Sequence, residues 1–472
     1  MKRDHTRTPL IEAIERHRSM QPISFHVPGH KNGLLVQEDH PFYQSDLTEL
    51  NGLDDLHDSH EAIREAEELL GDVYGSLVSH FLVNGSTVGN IASILASCEP
   101  GDTVFVQRNC HKSVLNGIRL AKAAPVFIET EWDDSGTALG IRLDDIKEAM
   151  KVFPHVKACV LTYPTYYGFT YNLKEIIDEC HKHDVICIID EAHGAHFTLG
   201  PPFPESAMAC GADIVVHSAH KMLPAMTMGS YLHIGSTRVD AHKVKDYLTM
   251  LQSSSPSYPI MASLDYARSY MGTFLQEDLD QTLEDIREFI DGIVRIHPQL
   301  IVQQAHDPLK LIMKFEGRTG YVLKELLESV GVYPELADPN QVLLILPLVK
   351  KGFSFPYGEA ITRINKALEN EPVVEVNPIG RITGSKRTTP FSGLALTMEE
   401  MDGKEEVLIS LEDAEGEVSA GMVTPYPPGI PLLVPGERIT VDVIRRLKEY
   451  IENKANIQGH HRLADHCVYV YR

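Results

Sequence analysis

The chain has no run of about eighteen apolar residues, so no membrane-spanning helix is expected. Its start, Met1-Lys2-Arg3-Asp4-His5, leads into polar residues and an amphipathic helix without the apolar centre of a signal peptide. The seven cysteines, at 98, 110, 159, 180, 187, 210 and 467, are odd in number, scattered, and never in a Cys-x-x-Cys pair. That excludes a disulfide framework or structural zinc site readable from spacing, and points to a reduced, cytoplasmic setting with no metal. Basic charge is in deficit: 43 Lys and Arg stand against 66 Asp and Glu, a net charge of -23. A nucleic-acid binder normally shows a basic face, so that class is disfavoured, whereas a small cationic molecule would be drawn in. There is no Gly-x-x-x-x-Gly-Lys-Ser/Thr loop, and no internal repeat or low-complexity tract.

What is present suits a globular chain of two or three domains: 472 residues, 43% hydrophobic and 23% charged. We read residues 1–60 as an N-terminal arm, 61–300 as a large domain and 301–472 as a smaller C-terminal α/β domain. Thr8 and Pro9 look like the cap and first turn of a short helix through about residue 18. The stretch from His26 to His60 is irregular, and an arm of this length usually wraps a neighbour. From about residue 61 helices and strands alternate. Strands are expected at 79–83, 103–106, 125–128, 158–162, 185–189 and 212–216, with helices near 61–74 and 87–98. A further helix carries Leu173, Ile176, Ile177 and Cys180 at one-face spacing. Such alternation implies a mostly parallel sheet covered on both faces. Beyond residue 300, strands at 309–313 and 342–346 flank a helix over 320–330. The proline-rich segment 424–431 reads as a rigid extended loop, followed by a helix over about 440–454.

Two buried strands end in chemistry. Val185-Ile-Cys-Ile-Ile189 runs into Asp190, and Ala212-Asp-Ile-Val-Val216 runs into His217-Ser218-Ala219-His220-Lys221. An acid and a lysine delivered by neighbouring strands is the arrangement that pyridoxal phosphate (PLP) requires. The lysine holds the cofactor covalently, and the acid keeps the pyridine nitrogen protonated so that the ring accepts electrons. Asn84-Gly85-Ser86-Thr87, between a strand and a helix, offers N–H groups and hydroxyls to a phosphate, or is simply an N-cap with a turn glycine. Lys221 beside Ser218 and His220 suits a covalent role; the plain alternative is a strand-end lysine in solvent. Asp190-Glu191 also fits a metal-binding pair, but its usual phosphate loop is missing. Of 23 histidines most are structural; His111 follows a strand and is placed to stack on a ring, and His193 and His196 have metal-ligand spacing without a third ligand.

These motifs resemble the bacterial Orn/Lys/Arg decarboxylases. The resemblance rests on His26-Val-Pro-Gly-His-Lys31, Leu53-Asp-Asp-Leu-His57, Asn84-Gly-Ser-Thr87, Arg108-Asn-Cys-His-Lys-Ser113 and Pro164-Thr-Tyr-Tyr-Gly168. It continues through Asp190-Glu-Ala-His193, Ser218-Ala-His-Lys221, Ser253-Ser-Ser-Pro-Ser-Tyr-Pro259, Pro425-Tyr-Pro-Pro-Gly-Ile-Pro431 and Pro435-Gly-Glu437. It implies a fold type I, aspartate aminotransferase-like α/β architecture with a mostly parallel seven-stranded sheet in the large domain and a smaller α/β C-terminal domain. It also implies roles. Lys221 is similar to the lysine that carries the cofactor, Asp190 to the partner of the pyridine nitrogen, and His111 to the stacked imidazole. Ser86, Thr87, Ser218 and His220 resemble phosphate ligands, Ala192 packs on the opposite ring face, and His193 lies close by. Ser255 resembles a phosphate contact across a dimer interface, and Glu437 a carboxylate facing the distal cation of the substrate. The wing domain of the large members is absent, so the chain resembles the short Gram-positive type and is expected to be a dimer or a dimer of dimers.

The activity this implies is loss of CO2 from arginine, lysine or ornithine, with arginine favoured by analogy to short biosynthetic members. Transamination or elimination on the same scaffold, and a catalytically silent paralogue, are the alternatives. The first two differ in products, and the last would show no cofactor absorption.

Overall fold

The computed structural model describes residues 3–36, 41–133, 136–373, 389–425, 431–452 and 456–472. The strands of interest are β1 (Val78–Leu82), β2 (Thr103–Gln107), β3 (Ala124–Ile128), β4 (Val156–Thr162), β5 (Ile186–Asp190), β6 (Ile214–His217), β7 (Ser230–Ile234) and β8 (Phe391–Gly393). The helices are α1 (Pro9–Ser19), α2 (Ala62–Tyr74), α3 (Gly85–Ser97), α4 (Lys112–Ala121), α5 (Leu173–Lys182), α6 (Ala219–Met222) and α7 (Tyr258–Gly272). The chain divides into two units, Met1–Cys98 with Leu173–Leu275, and Glu99–Asn172 with Gln276–Arg472.

In the first unit the strand order is β1-β7-β6-β5. β5 reads Ile-Cys-Ile-Ile-Asp and is buried at every position, as a strand covered on both faces must be. It pairs in parallel with β6, and Asp190 lies level with Val216. β7 joins β6 and β1 in antiparallel fashion. The stripe read from the sequence on α5 is its buried face: Leu173, Ile176, Ile177 and Cys180. Each aliphatic side chain so buried contributes about 1.5–3 kcal/mol. α3 begins two residues earlier than expected, at Gly85, whose φ of +78° lies in the left-handed region that favours glycine. One turn on, Gly89 sits so tightly that a Cβ would lie 2.7 Å from Leu82 and 2.8 Å from Val216.

The arm is tied down by backbone bonds. Thr8 heads α1 without a side-chain capping bond. The open donors go elsewhere: Leu10 N–H donates to Asp265 at 2.9 Å, and the buried Arg268 on α7 pairs with Asp265 and donates to the carbonyls of His5 (3.2 Å) and Arg7 (2.7 Å). Asp54, from the Leu53–His57 motif, has φ +76° and takes N–H donors from Asp55, His60, Glu61, Ile63 and Arg64 at 2.9–3.3 Å. It thereby caps α2, whose own N-cap Glu61 makes no side-chain bond. Burial alone would push the Asp54 carboxyl up, but the donated N–H groups more than offset this and hold it below the usual aspartate value. Asp54→Ala is expected to cost about 1–2 kcal/mol, seen as a lower urea midpoint with unchanged m.

In the second unit the order is β4-β2-β3-β8, with β4, β2 and β3 parallel and β8 antiparallel to β3. The resemblance implied seven strands. With β8 added at the β3 edge, the two runs hold eight. Leu300–Gln304, Lys310–Phe315, Val342–Ile345 and Leu336–Ala337 form an antiparallel sheet beside the helix Gly320–Ser329. A separate core of Leu411, Val423, Leu433, Ile439, Leu447, Val468 and Val470 holds the last residues together. The proline-rich segment departs from its reading as unbroken loop. Val423–Pro425 is a short strand paired with Ile457–Gly459, and Pro425 closes it where a missing N–H is tolerated; residues 426–430 lie outside the described residues. The last helix is Val441–Glu452, and 453–455 lie outside the described residues. None of the seven cysteines is joined in a disulfide. Among the described residues no helix is long and apolar enough to cross a membrane.

Candidate cofactor site

Asp190 closes β5 at 3% exposure. Its Oδ2 accepts Asn90 Nδ2 at 3.0 Å, from the buried face of α3. Its Oδ1 is buried and has no hydrogen-bond partner among the described residues. A buried carboxylate oxygen left so is costly unless a donor completes it.

Lys221 is not at a strand end but on the single turn α6, after β6 and Ser218. Its Nζ lies 3.1 Å from His193 Nε2, so the two residues named separately in the sequence meet. Ser218 Oγ donates to Ser86 Oγ at 2.8 Å, joining the start of α3 to the start of α6. Asn84, the positional cap of α3, makes no side-chain capping bond. His220 Nδ1 lies 3.0 Å from the Gly229 carbonyl, which only accepts, so Nδ1 is the donor there. Asp190, Lys221, His193, Ser86, Ser218 and His220 therefore all belong to the first unit. Ala192 is buried, while Thr87 and Ser255 are exposed.

A buried polar chain lies next to these residues. Glu191 Oε2 bonds His217 Nε2 at 2.7 Å, His217 Nδ1 bonds His233 Nε2 at 3.1 Å, and His233 Nδ1 bonds Ser79 Oγ at 2.7 Å. Ser79 then meets Ser76 at 2.6 Å. Glu191 also accepts the Ala207 N–H at 2.8 Å. Burial pushes the Glu191 carboxyl up, partly offset by His217, and pushes the His233 imidazole well below its usual value.

In the second unit, His111 is the N-cap of α4: Nδ1 accepts the Ser113 N–H at 3.2 Å and lies 2.8 Å from Ser113 Oγ. Glu437 is held by Arg108, whose Nη2 donates to Oε2 at 3.0 Å and to the Leu432 carbonyl at 2.9 Å. The Val434 N–H also reaches Oε2, at 3.2 Å. Arg108 stacks over Phe127, 4.9 Å from the ring centre.

Sequence reasoning missed Asn90, Glu191 as half of an acid–imidazole pair, and Arg108 as the partner of Glu437. The signal for Asn90 was available. It is a polar residue within the apolar run Val88–Leu95 of a helix, and a buried amide needs a partner.

A family model described as Orn/Lys/Arg decarboxylase, major domain, matches residues 8–309, and its C-terminal domain counterpart matches 390–461. An uncharacterised protein of Bacillus subtilis (strain 168) is 44% identical, with 98% of each chain covered. An arginine decarboxylase of the same organism is 32% identical, covering 96% of this chain and 95% of its own. The crystal structure of a lysine decarboxylase from Francisella novicida shares the fold with a TM-score of 0.80, 22% identity, and coverage of 98% of this chain and 81% of that one.

Proposed function

The chain belongs to the Orn/Lys/Arg decarboxylase family, and from that premise we propose that its substrate is arginine and that Lys221, Asp190 and their neighbours hold its cofactor. It is a PLP-dependent decarboxylase of a basic amino acid. The residues suit that cofactor, and the observation that carries the reading is Asp190: a buried carboxylate with one oxygen held by Asn90 and the other lacking a donor among the described residues. A protonated pyridine nitrogen is such a donor. Lys221 supplies the amine that holds the aldehyde, and Ser86, Thr87, Ser218 and His220 supply donors for the phosphate. His111 provides the stacking imidazole and Ala192 a small surface for the other face.

When bound, the cofactor supplies an electron sink for the pair left as CO2 departs. Asp190 holds the proton at the ring nitrogen, as a fixed negative charge in a dry site does effectively. Lys221 Nζ and His193 Nε2 lie 3.1 Å apart, and either group can hold the proton that replaces CO2 on the substrate carbon. Glu437 faces the distal cation, in company with Arg108.

The 32% identity to a protein named arginine decarboxylase supports arginine, against 25% to one named lysine decarboxylase. A cytoplasmic homodimer or dimer of dimers completes the reading, with Ser255 reaching a partner's phosphate. Ile23, Phe25, Leu34 and Leu35 of the arm are 74–93% exposed, a run of apolar surface that a neighbouring copy would cover. Release of CO2 from arginine, lysine and ornithine, each with its product amine, tests the substrate. Arginine is expected to lead in kcat/KM by about tenfold or more, the scale on which one pocket separates related side chains. A lead for lysine or ornithine would overturn the choice, and a keto acid without CO2 would overturn the reaction.

A further inference from the structure

We propose that Asn90 is a positioning residue that fixes the plane of the Asp190 carboxylate for the cofactor's ring nitrogen. The inference rests on the assignment of Asp190 above and adds a residue to it. A carboxylate turns about a broad, roughly two-fold torsion, so an aspartate at the end of a strand has no preferred oxygen by itself. Asn90 Nδ2, 3.0 Å from Oδ2, removes that equivalence and leaves Oδ1 as the buried acceptor. Both residues are almost fully buried, at 1% and 3% exposure, so water does not compete for the bond. An amide also does this without titrating, since its own charge never changes.

The donor is held as firmly as the acid. Asn90 follows Gly89, where α3 presses against Leu82 and Val216 too closely for any side chain. Ser93 Oγ donates to the Gly89 carbonyl at 2.7 Å within the same turn. Four residues before Asn90, the same helix presents Ser86, in contact with Ser218. Four residues of helix rise about 6 Å. α3 thus carries a phosphate donor at one level and the brace on the acid one turn further along, and it sets the spacing between the two ends of the cofactor bed.

The test is a double-mutant cycle of Asn90→Leu and Asp190→Asn. It reads the PLP dissociation constant of the apoprotein by visible absorption, kcat/KM, and the far-UV circular dichroism of each apoprotein. Asn90→Leu alone is expected to weaken PLP binding and lower kcat/KM by roughly 10- to 100-fold, the value of a hydrogen bond to a charged group. Its circular dichroism should stay that of the parent. In the Asp190→Asn background the same change should cost less than about threefold, because Asn90 acts through the acid. Should Asn90→Leu not fold, Asn90→Ser keeps a donor on a shorter arm and is expected to fall between parent and Leu. Unchanged binding and rate in both Asn90 variants, or a loss undiminished beside Asp190→Asn, overturns the positioning role alone. If Asp190→Asn by itself leaves kcat/KM and the spectrum of the bound cofactor unchanged, the assignment of Asp190 fails first and the role of Asn90 with it.

Discussion

Lys221→Ala is expected to lower turnover by roughly a thousandfold or more, because it deletes the amine that holds the aldehyde covalently in the proposed site. The visible absorption of the lysine-bound cofactor should disappear with it, while far-UV circular dichroism stays that of the parent. α6 is a single turn and Lys221 is only partly buried, so little of the core depends on its side chain. Retained absorption together with retained turnover would place the covalent link on another lysine. Comparing spectrum with rate matters, since a variant that binds PLP loosely loses activity for a different reason.

Asp190→Asn is expected to keep the cofactor and lose turnover by about 100- to 1000-fold. It replaces a fixed negative charge in a water-poor site with a neutral amide of the same shape, and removal of one preorganised electrostatic group costs that order of magnitude. The amide oxygen can still accept from Asn90, so packing around β5 should survive. Reconstitution with PLP followed by single-turnover measurement separates the rate from affinity. Near-normal turnover would show that the acid has no electronic role.

The periodic parts of the chain were legible for a plain reason. β5 and β6 are unbroken apolar runs and α5 has a clean one-face stripe, and each pattern has one stable way to be buried. Asp190 was legible because a charge directly after such a run is conspicuous. Lys221 was found, but its placement was read as the end of a strand; the turn α6 is too short to leave a periodic signature. The eighth strand, β8, is three residues whose pairing with β3 is a long-range event with no local trace. The bonds from Asn90 to Asp190 and from Arg108 to Glu437 span 100 and 329 residues. Spacing along a sequence cannot announce a partner that only folding brings near. Thr8 shows the converse: a good capping residue by type, it makes no capping bond because Asp265 already takes the Leu10 N–H.

The line from Glu191 through His217 and His233 to Ser79 and Ser76 has a consequence for how protons are counted inside the molecule. Each imidazole in such a line gives at one nitrogen and takes at the other when neutral, so the orientation of one link dictates the orientation of the next. With Glu191 ionised, every N–H and O–H points toward the acid; with Glu191 protonated, every one points away, toward the half-exposed Ser76. The two states differ by a single proton at the inner end, yet no member can switch alone.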